Sequence, residues 1–206
     1  MIKMLLIKRP VDIITRIYRA RDISMLYPQV MGHESVNANT QMNVTIRNQT
    51  TSLAKALVQP DMRTVVDGSY EIKNNQRGIL SLSLIGLADF GGAHPMTMVK
   101  SLTMDTSTGE NIVLYQLFMR DEQYKKIINA EILRQIKVRE IPLLDSFNGI
   151  SPEQDYYVSD QVLVIYFQLY ELSPYAAGFP YFPIPIFMLS SVIPENSILS
   201  RMNYFI

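Results

Sequence analysis

The chain of 206 residues contains no cysteine, which excludes disulfides, thiolate metal sites and a cysteine nucleophile. Because many exported proteins also lack cysteine, this absence does not identify a compartment. Only two histidines are present, His33 and His94, and they are far apart in sequence. Zinc-type sites usually draw on histidines or cysteines at close spacing, so we predict no metal site and no cofactor.

A net charge is also missing, because 19 lysines and arginines balance 19 aspartates and glutamates. No block of like charges stands out, and a neutral chain has no global basic field that would attract a phosphate backbone. We therefore predict that nucleic acid is not a partner.

Long apolar runs are absent too. The N-terminal run is interrupted at Lys3 and stops at Lys8, so it is shorter than a signal-peptide core and far shorter than a membrane span. The longest other apolar stretch, residues 178–193, is broken by three prolines (Pro180, Pro183 and Pro185). We predict neither a signal peptide nor a transmembrane segment in this chain. Either the protein stays in the cytoplasm, or the chain lacks its export segment, and the localisation is left open.

Hydrophobic residues make up 48% of the chain and charged residues 18%, which is typical of a packed globular protein. Helical spacing of apolar residues predicts helices over residues 37–57 and 121–136. In the first, Met42, Ile46, Leu53 and Leu57 form the apolar stripe. In the second, Asp121 is the predicted cap, and the stripe is Tyr124, Ile127, Ile128, Ile132 and Ile136 or Leu133.

Alternating β-favouring residues predict strands around these helices. They fall at residues 11–18, 24–30, 70–73, 79–85, 99–104 and 156–158, with a possible resumption at 111–114 and a long central strand at 161–170. The order of elements argues for an α+β fold with a mostly antiparallel sheet and two main helices. We predict one domain over 1–206, with two sub-lobes sharing a core, roughly 11–95 and 96–193.

Gly91-Gly-Ala-His-Pro95 is the most unusual local motif. Two glycines allow close backbone approach, and His94 beside them could act as an acid, a base or a ligand contact. The alternative is a structural turn in which His94 caps a carbonyl. The sequence has no Gly-x-Ser-x-Gly elbow to supply a nucleophile, so the structural alternative is favoured.

Two further groups of candidates lie near the C-terminus. Glu171 stands among tyrosines, where a buried carboxylate could titrate abnormally and catalyse, or could simply accept structural hydrogen bonds. Tyr175, Phe179 and Tyr181 lie on a proline-stiffened segment, where rigid aromatic rings are common at binding surfaces, although core packing explains them as well.

Several segments together resemble the RsiV-like domain family. They are Met25-Leu-Tyr-Pro-Gln-Val30 with the helix at Met42-Asn43, Ile79-Leu-Ser-Leu-Ser-Leu84, Gly91-Gly-Ala-His94, Met104-Asp-Thr-Ser-Thr-Gly109, Leu117-Phe118, and Tyr166-Phe-Gln-Leu-Tyr-Glu-Leu-Ser-Pro-Tyr-Ala-Ala-Gly178 with Phe182-Pro-Ile-Pro185. The last is the C-terminal signature. The similarity spans roughly residues 22–190, in the family's order.

This resemblance implies an extracytoplasmic, non-catalytic binding module. Members of the family include the outer part of a lysozyme-binding anti-sigma factor and accessory modules of peptidoglycan deacetylases. The chain shows no sigma-binding region and no deacetylase domain, so an anti-sigma role is not carried over. We expect a lysozyme-like protein or a cell-wall glycan as the partner, and no catalytic residues. Candidate ligand contacts are Tyr175, Phe179, Tyr181, His94 and Glu171. The alternatives are a small hydrolase that uses His94 and Glu171, and a cytoplasmic structural or interaction protein. The oligomeric state is unknown.

Overall fold

A computed structural model describes residues 9–92, 94–119, 122–195 and 197–203. The predicted cap Asp121, Ala93 of the glycine motif and the N-terminal run up to Lys8 lie outside the described residues. The strands are β1 (Asp12–Ala20), β2 (Ile23–Met31), β3 (Val65–Gln76), β4 (Ile79–Asp89), β5 (Met96–Asp105), β6 (Tyr156–Ser159), β7 (Val162–Tyr166) and β8 (Tyr181–Pro185). The helices are α1 (Val36–Leu57) and α2 (Gln123–Val138), with short 3₁₀ turns between elements.

The first five strands form one sheet in the order β1-β2-β3-β4-β5. All neighbours are antiparallel except β2 and β3, which pair in parallel over only three residues, Ile23–Met25 with Val66–Gly68. The predicted hairpin is present, but its turn is tighter than expected. Arg77 and Gly78 both have positive φ, as a two-residue hairpin turn requires, and Asn74 lies inside β3 at a register shift.

Helix α1 covers one face of this sheet. Ser35 caps its first turn, and its buried stripe includes the predicted Met42, Ile46, Leu53 and Leu57. The opposing β4 residues (Leu80, Leu82 and Leu84) belong to the same buried cluster. Because Leu alternates with Ser along β4, the leucines meet the helix while the serines face the other side of the sheet.

Amide side chains replace missing strand partners where the β1–β2 hairpin separates from β3. Asn43 of α1 donates to the Val30 carbonyl and accepts from the Val30 N–H. Asn75 makes the same pair of bonds with the backbone of Val11. An asparagine is a poor helix former, so the position of Asn43 within α1 is explained by this strand-capping role.

The remaining strands form a second antiparallel sheet, β6-β7-β8, and β7 is central as predicted. Its predicted length is wrong, because the strand ends at Tyr166 rather than continuing to Tyr170. Beyond Phe167 the chain turns, and the Glu171 carboxylate accepts the N–H of Gln168. Tyr170 has a φ of 65°, which no strand residue adopts.

Helix α2 buries Tyr124, Ile128 and Ile132 as predicted, with Ile136 partly buried against the same cluster. The alternative prediction, that Leu133 completes the buried stripe, is wrong, because Leu133 is 51% exposed. The possible strand at 111–114 is also wrong. Asn111 forms a single bridge with Met104, and a 3₁₀ helix follows at Leu114–Leu117.

The architecture is therefore α+β, with two helices and eight mostly antiparallel strands, as the sequence predicts. The described residues form two buried clusters, one between α1 and the five-stranded sheet and one around α2 and the three-stranded sheet. The division into sub-lobes 11–95 and 96–193 stays a prediction. Strand β5, which begins the predicted second sub-lobe, is hydrogen-bonded to β4 and so belongs to the first sheet.

Candidate functional site

The polar residues of the C-terminal signature attach it to the edge of β5. The Gln168 side chain donates to the Val99 carbonyl at 2.6 Å and accepts from the Val99 N–H at 3.2 Å. It also donates to Asp155, which forms an ion pair with Lys100 at 2.8 Å. This amide caps the free edge of a strand, as Asn43 and Asn75 do elsewhere.

Tyr166 fixes the signature from inside the molecule. Its side chain is buried and its hydroxyl lies 2.9 Å from the Ser101 hydroxyl, which in turn contacts Ser83. The neighbouring Ser81 hydroxyl contacts Thr103 and accepts the N–H of Val158 in β6. The serines that alternate with leucine along β4 therefore form a hydroxyl seam between the two sheets.

The Glu171 carboxylate accepts hydrogen bonds that stabilise the local fold. It accepts the backbone N–H of Gln168 at 2.7 Å and the side-chain amide of Gln154 at 3.2 Å, and Gln154 also donates to the Tyr166 carbonyl. Within the described ranges, no hydrogen bond or ion pair joins Glu171 to His94. The geometry matches a carboxylate that stabilises the turn after β7.

The structure brings two sequence-predicted candidates, His94 and Tyr175, into contact. Their ring centroids lie 5.5 Å apart, and the Tyr175 hydroxyl donates to the Pro95 carbonyl at 2.9 Å. Tyr170 adds a third ring, 5.6 Å from Tyr175. His94 and Tyr170 are exposed and Tyr175 is half-buried. We call His94, Tyr170 and Tyr175 the exposed aromatic rim.

Tyr170 combines an unusual backbone with an exposed side chain. Its φ of 65° lies in the left-handed region, which costs a residue with a Cβ about 1 to 2 kcal/mol. More than half of the residue is exposed, at 53%. A bulky residue held in this conformation with its ring in solvent is a feature associated with functional positions.

The other two aromatic candidates belong to a different group. Tyr181 lies 5.5 Å from Tyr166 and 6.3 Å from Tyr157, measured between ring centroids, and the Lys73 ammonium sits over the Tyr157 ring. We call Tyr157, Tyr166 and Tyr181 the inner tyrosine cluster. Phe179 contacts its outer side, 6.3 Å from Tyr181. The five predicted contacts thus divide into the exposed rim, the inner cluster and the structural carboxylate of Glu171.

Electrostatics separates the inner cluster from ordinary surface tyrosines. Burial, followed by the nearby Tyr157 hydroxyl and Glu71 carboxylate, raises the pKa of Tyr181 to about 12. Burial also raises the pKa of Tyr166 well above its usual value, and the Asp155 carboxylate adds to the effect. These hydroxyls therefore stay neutral to a higher pH than the hydroxyl of an exposed tyrosine.

Comparison with known proteins shows which sequences this chain resembles. The sequence model described as "Protein of unknown function (DUF3298)" matches residues 115–186, which include the C-terminal signature. The anti-sigma-V factor RsiV of Bacillus subtilis (strain 168) is 33% identical over 113 residues, which cover 49% of this chain and 39% of RsiV. The chain therefore spans about two fifths of that relative.

Two solved structures extend the similarity to the whole fold. A DUF3298 family member from Bacteroides fragilis NCTC 9343 superposes with a TM-score of 0.68 at 13% identity, covering 96% of this chain and 98% of that one. A DUF3298 family protein from Pseudomonas aeruginosa PAO1 gives a TM-score of 0.66 at 11% identity, covering 91% and 95% respectively. The chain is similar to RsiV-like proteins in sequence and to DUF3298 proteins in fold. The resemblance predicted from its motifs is confirmed.

The sequence relatives are an anti-sigma factor, which is not an enzyme, and a family of unknown function. Among the described residues, no group of three or more histidine, aspartate or glutamate side chains is placed to hold a metal ion. None of the described helices combines the length and apolarity needed to cross a membrane.

Sequence reasoning missed Tyr170 as a rim residue. It was assigned to a core strand because the apolar run 161–170 gives no sign of where β7 ends. The signal that could have found it is Pro174 shortly downstream together with the polar pair Gln168 and Glu171, which favour a turn over a continued strand.

Proposed function

We propose that this chain is a non-catalytic binding module for a cell-envelope component, and that the exposed aromatic rim is its principal contact surface. The component would be a lysozyme-like protein or a cell-wall glycan. The observation that carries the proposal is the exposed ring of Tyr170 on a strained backbone, in contact with Tyr175 and thereby with His94.

The rim supports binding because it is ordered before any ligand arrives. The Tyr175 hydroxyl is tied to Pro95, and the turn that presents Tyr170 is fixed by Glu171 and Gln168. Tyrosine provides large contact area with few rotatable bonds, so little conformational entropy is lost when such a surface binds. A flat ring with a polar tip suits either a protein surface or the apolar face of a sugar.

The extracytoplasmic location forms part of the proposal. It is supported by the similarity to RsiV over 49% of this chain. Fractionation of the native host tests it, and recovery of the protein solely in the cytoplasmic fraction would favour the alternative of a cytoplasmic interaction protein.

The hydrolase alternative receives no support from the geometry. His94 contacts Tyr175, whereas Glu171 is engaged by Gln154 and Gln168. An acid and base pair must reach the same substrate atoms, and these two groups belong to different local networks.

Calorimetric titration of the intact chain with hen lysozyme and with soluble muropeptides tests the binding function. Substitution Tyr170→Ala should weaken binding of whichever probe binds by about tenfold or more, because an aromatic hot spot contributes about 2 kcal/mol or more. The matched control is Tyr115→Ala, which removes another exposed tyrosine (47% exposed) outside the rim. Absence of binding to both probes, at millimolar glycan, would refute the proposal. An equal loss of affinity in Tyr170→Ala and Tyr115→Ala would show that the rim is not the contact surface.

A further inference from the structure

A second surface lies between α2 and β8 and shares no residue with the exposed aromatic rim. It is an open groove of about 570 Å³, within the size range of small-ligand sites. Its apolar lining comes from both elements and their neighbours (Val138, Val162, Pro183, Pro185 and Met188). Val138 and Met188 are exposed by 67% and 39%, so the lining is open to solvent.

The edge of β8 that faces α2 cannot accept another strand. Pro180 and Ile186 bond to the backbone of Phe167 and Gln161, the residues that flank β7. In this antiparallel register the backbone groups of the odd-numbered residues in β8 therefore point outward. Pro183 and Pro185 have no N–H to offer there. Two of the outward carbonyls are occupied as well, since Arg139 donates to the Tyr181 carbonyl at 2.6 Å and Gln135 to the Pro183 carbonyl at 2.8 Å.

A ligand in this groove must therefore be recognised by side-chain contacts rather than by added backbone pairing. The prolines of β8 give flat, rigid apolar surface on one wall, and Val138 gives the other. Such a surface suits one or two apolar side chains of a short segment.

The charges around the groove do not balance. Glu131 accepts two hydrogen bonds of 2.8 Å from Arg134 and one from Gln135, so the Arg134 charge is matched. The Arg134 hydrogen bonds hold the pKa of the Glu131 carboxyl below its usual value, so this ion pair persists at neutral pH.

Arg139 is the unmatched cation. Its Nη1 donates to the Tyr181 carbonyl and to the Gln135 side chain, and no carboxylate of the described residues lies within ion-pair distance of it. The Nε and Nη2 groups of Arg139 donate no hydrogen bond to those residues. The guanidinium lies over the Phe182 ring, with its central carbon 5.7 Å from the ring centroid, and the side chain lines the groove. A guanidinium with two free donors suits a carboxylate.

We infer that this groove binds a short acidic peptide segment of a protein partner, with a carboxylate on Arg139 and neighbouring apolar side chains on the proline and valine walls. The site does not depend on the aromatic rim, so either proposal can fail without the other.

Chemical-shift titration of the ¹⁵N-labelled chain tests this inference with two probes, acetyl-Phe-Glu-Leu-amide and acetyl-Phe-Gln-Leu-amide. The acidic peptide should bind roughly tenfold more tightly, because hydrogen bonds between charged groups are stronger than neutral ones. Shifts should concentrate in α2 and β8. Equal affinity of the two peptides, shifts confined to other elements, or no saturation at millimolar peptide would overturn the assignment.

Arg139→Gln should abolish the preference for the acidic peptide, and the ¹⁵N spectrum of the free variant checks that the fold survives loss of the Arg139 bond to the Tyr181 carbonyl. Lys137→Gln is the control, because it removes an exposed charge from the same helix outside the groove lining. Val138→Ser should weaken both peptides equally. Retention of the acidic preference in Arg139→Gln, or its loss in Lys137→Gln, would contradict the site. Tighter binding of decanoate than of the acidic peptide would overturn the peptide assignment in favour of an amphiphile.

Discussion

Two groups of aromatic side chains, the inner tyrosine cluster and the exposed aromatic rim, contain tyrosines from the same stretch, residues 157–181, but differ in burial. The inner tyrosine cluster packs between the sheets, and its central member Tyr166 is fully buried with a hydroxyl partner at Ser101. The exposed aromatic rim lies at the surface, where Tyr175 is half-buried and Tyr170 is 53% exposed. Burial, not ring chemistry, determines which tyrosines hold the fold together and which remain available to a ligand.

Replacing Tyr166 by alanine should have the largest effect on stability. A cavity in the inner cluster and loss of the hydroxyl bond should lower the free energy of unfolding by roughly 3 to 5 kcal/mol. Tyr166→Phe, which removes only the hydroxyl, should cost about 1 kcal/mol, since Ser101 retains Ser83 as a partner. Urea denaturation measures both. The distinction between buried and exposed tyrosines fails if Tyr166→Ala lowers the free energy of unfolding by no more than the exposed control Tyr115→Ala.

The pH dependence of stability at alkaline pH provides a second test of burial in the inner tyrosine cluster. Tyr181 has a folded-state pKa of about 12, whereas a tyrosine in the unfolded chain titrates near 10. Above pH 10 the unfolded state therefore binds fewer protons than the folded state, so stability must fall as pH rises from 10 to 12. Below pH 10 this contribution is fully present.

Tyr181→Phe removes that ionisation, so its unfolding free energy should fall less steeply between pH 10 and 12 than that of the wild type. Denaturant midpoints across this range provide the measurement, with Tyr115→Phe as the control. Parallel pH profiles for the wild type and Tyr181→Phe would show that Tyr181 is not desolvated in the folded state.

The division into two groups could be predicted from sequence only in part. Periodicity located both helices, because an amphipathic stripe such as Met42, Ile46, Leu53 and Leu57 repeats over many turns. It also located every strand of the first sheet. The end of β7 was missed, because residues 161–170 form a continuous apolar run and the turn depends on bonds made by Gln168 and Glu171.

Candidate residues were harder to predict for the same reason. His94 and Tyr175 were chosen separately, and nothing in their spacing indicates that Tyr175 would reach the Pro95 carbonyl. Phe179 and Tyr181 are grouped with Tyr175 as candidate ligand contacts because all three lie on the proline-stiffened segment after Pro174. Exposure, which distinguishes the rim from the inner cluster, depends on long-range packing that local patterns do not contain.

Within the rim, Tyr175→Phe should have a moderate effect. It removes the hydroxyl bond to the Pro95 carbonyl and should lower the free energy of unfolding by about 0.5 to 1.5 kcal/mol. The ring remains, so binding should weaken less than in Tyr170→Ala. Thermal and urea denaturation measure the first effect and calorimetric titration the second. No loss of stability would indicate that the 94–95 segment is held by other contacts.

Tyr170→Gly gives the smallest change in stability and the sharpest separation of the two groups. Glycine relieves about 1 to 2 kcal/mol of left-handed backbone strain, and it costs about 0.5 to 1 kcal/mol through the greater freedom of the unfolded chain. The net effect should therefore be between zero and about 1.5 kcal/mol of added stability, measured by urea denaturation. Ligand binding should nevertheless fall as far as in Tyr170→Ala, because the exposed ring is gone. A variant that is both less stable and unchanged in binding would place Tyr170 with the inner cluster, as a structural residue whose exposed ring serves the fold.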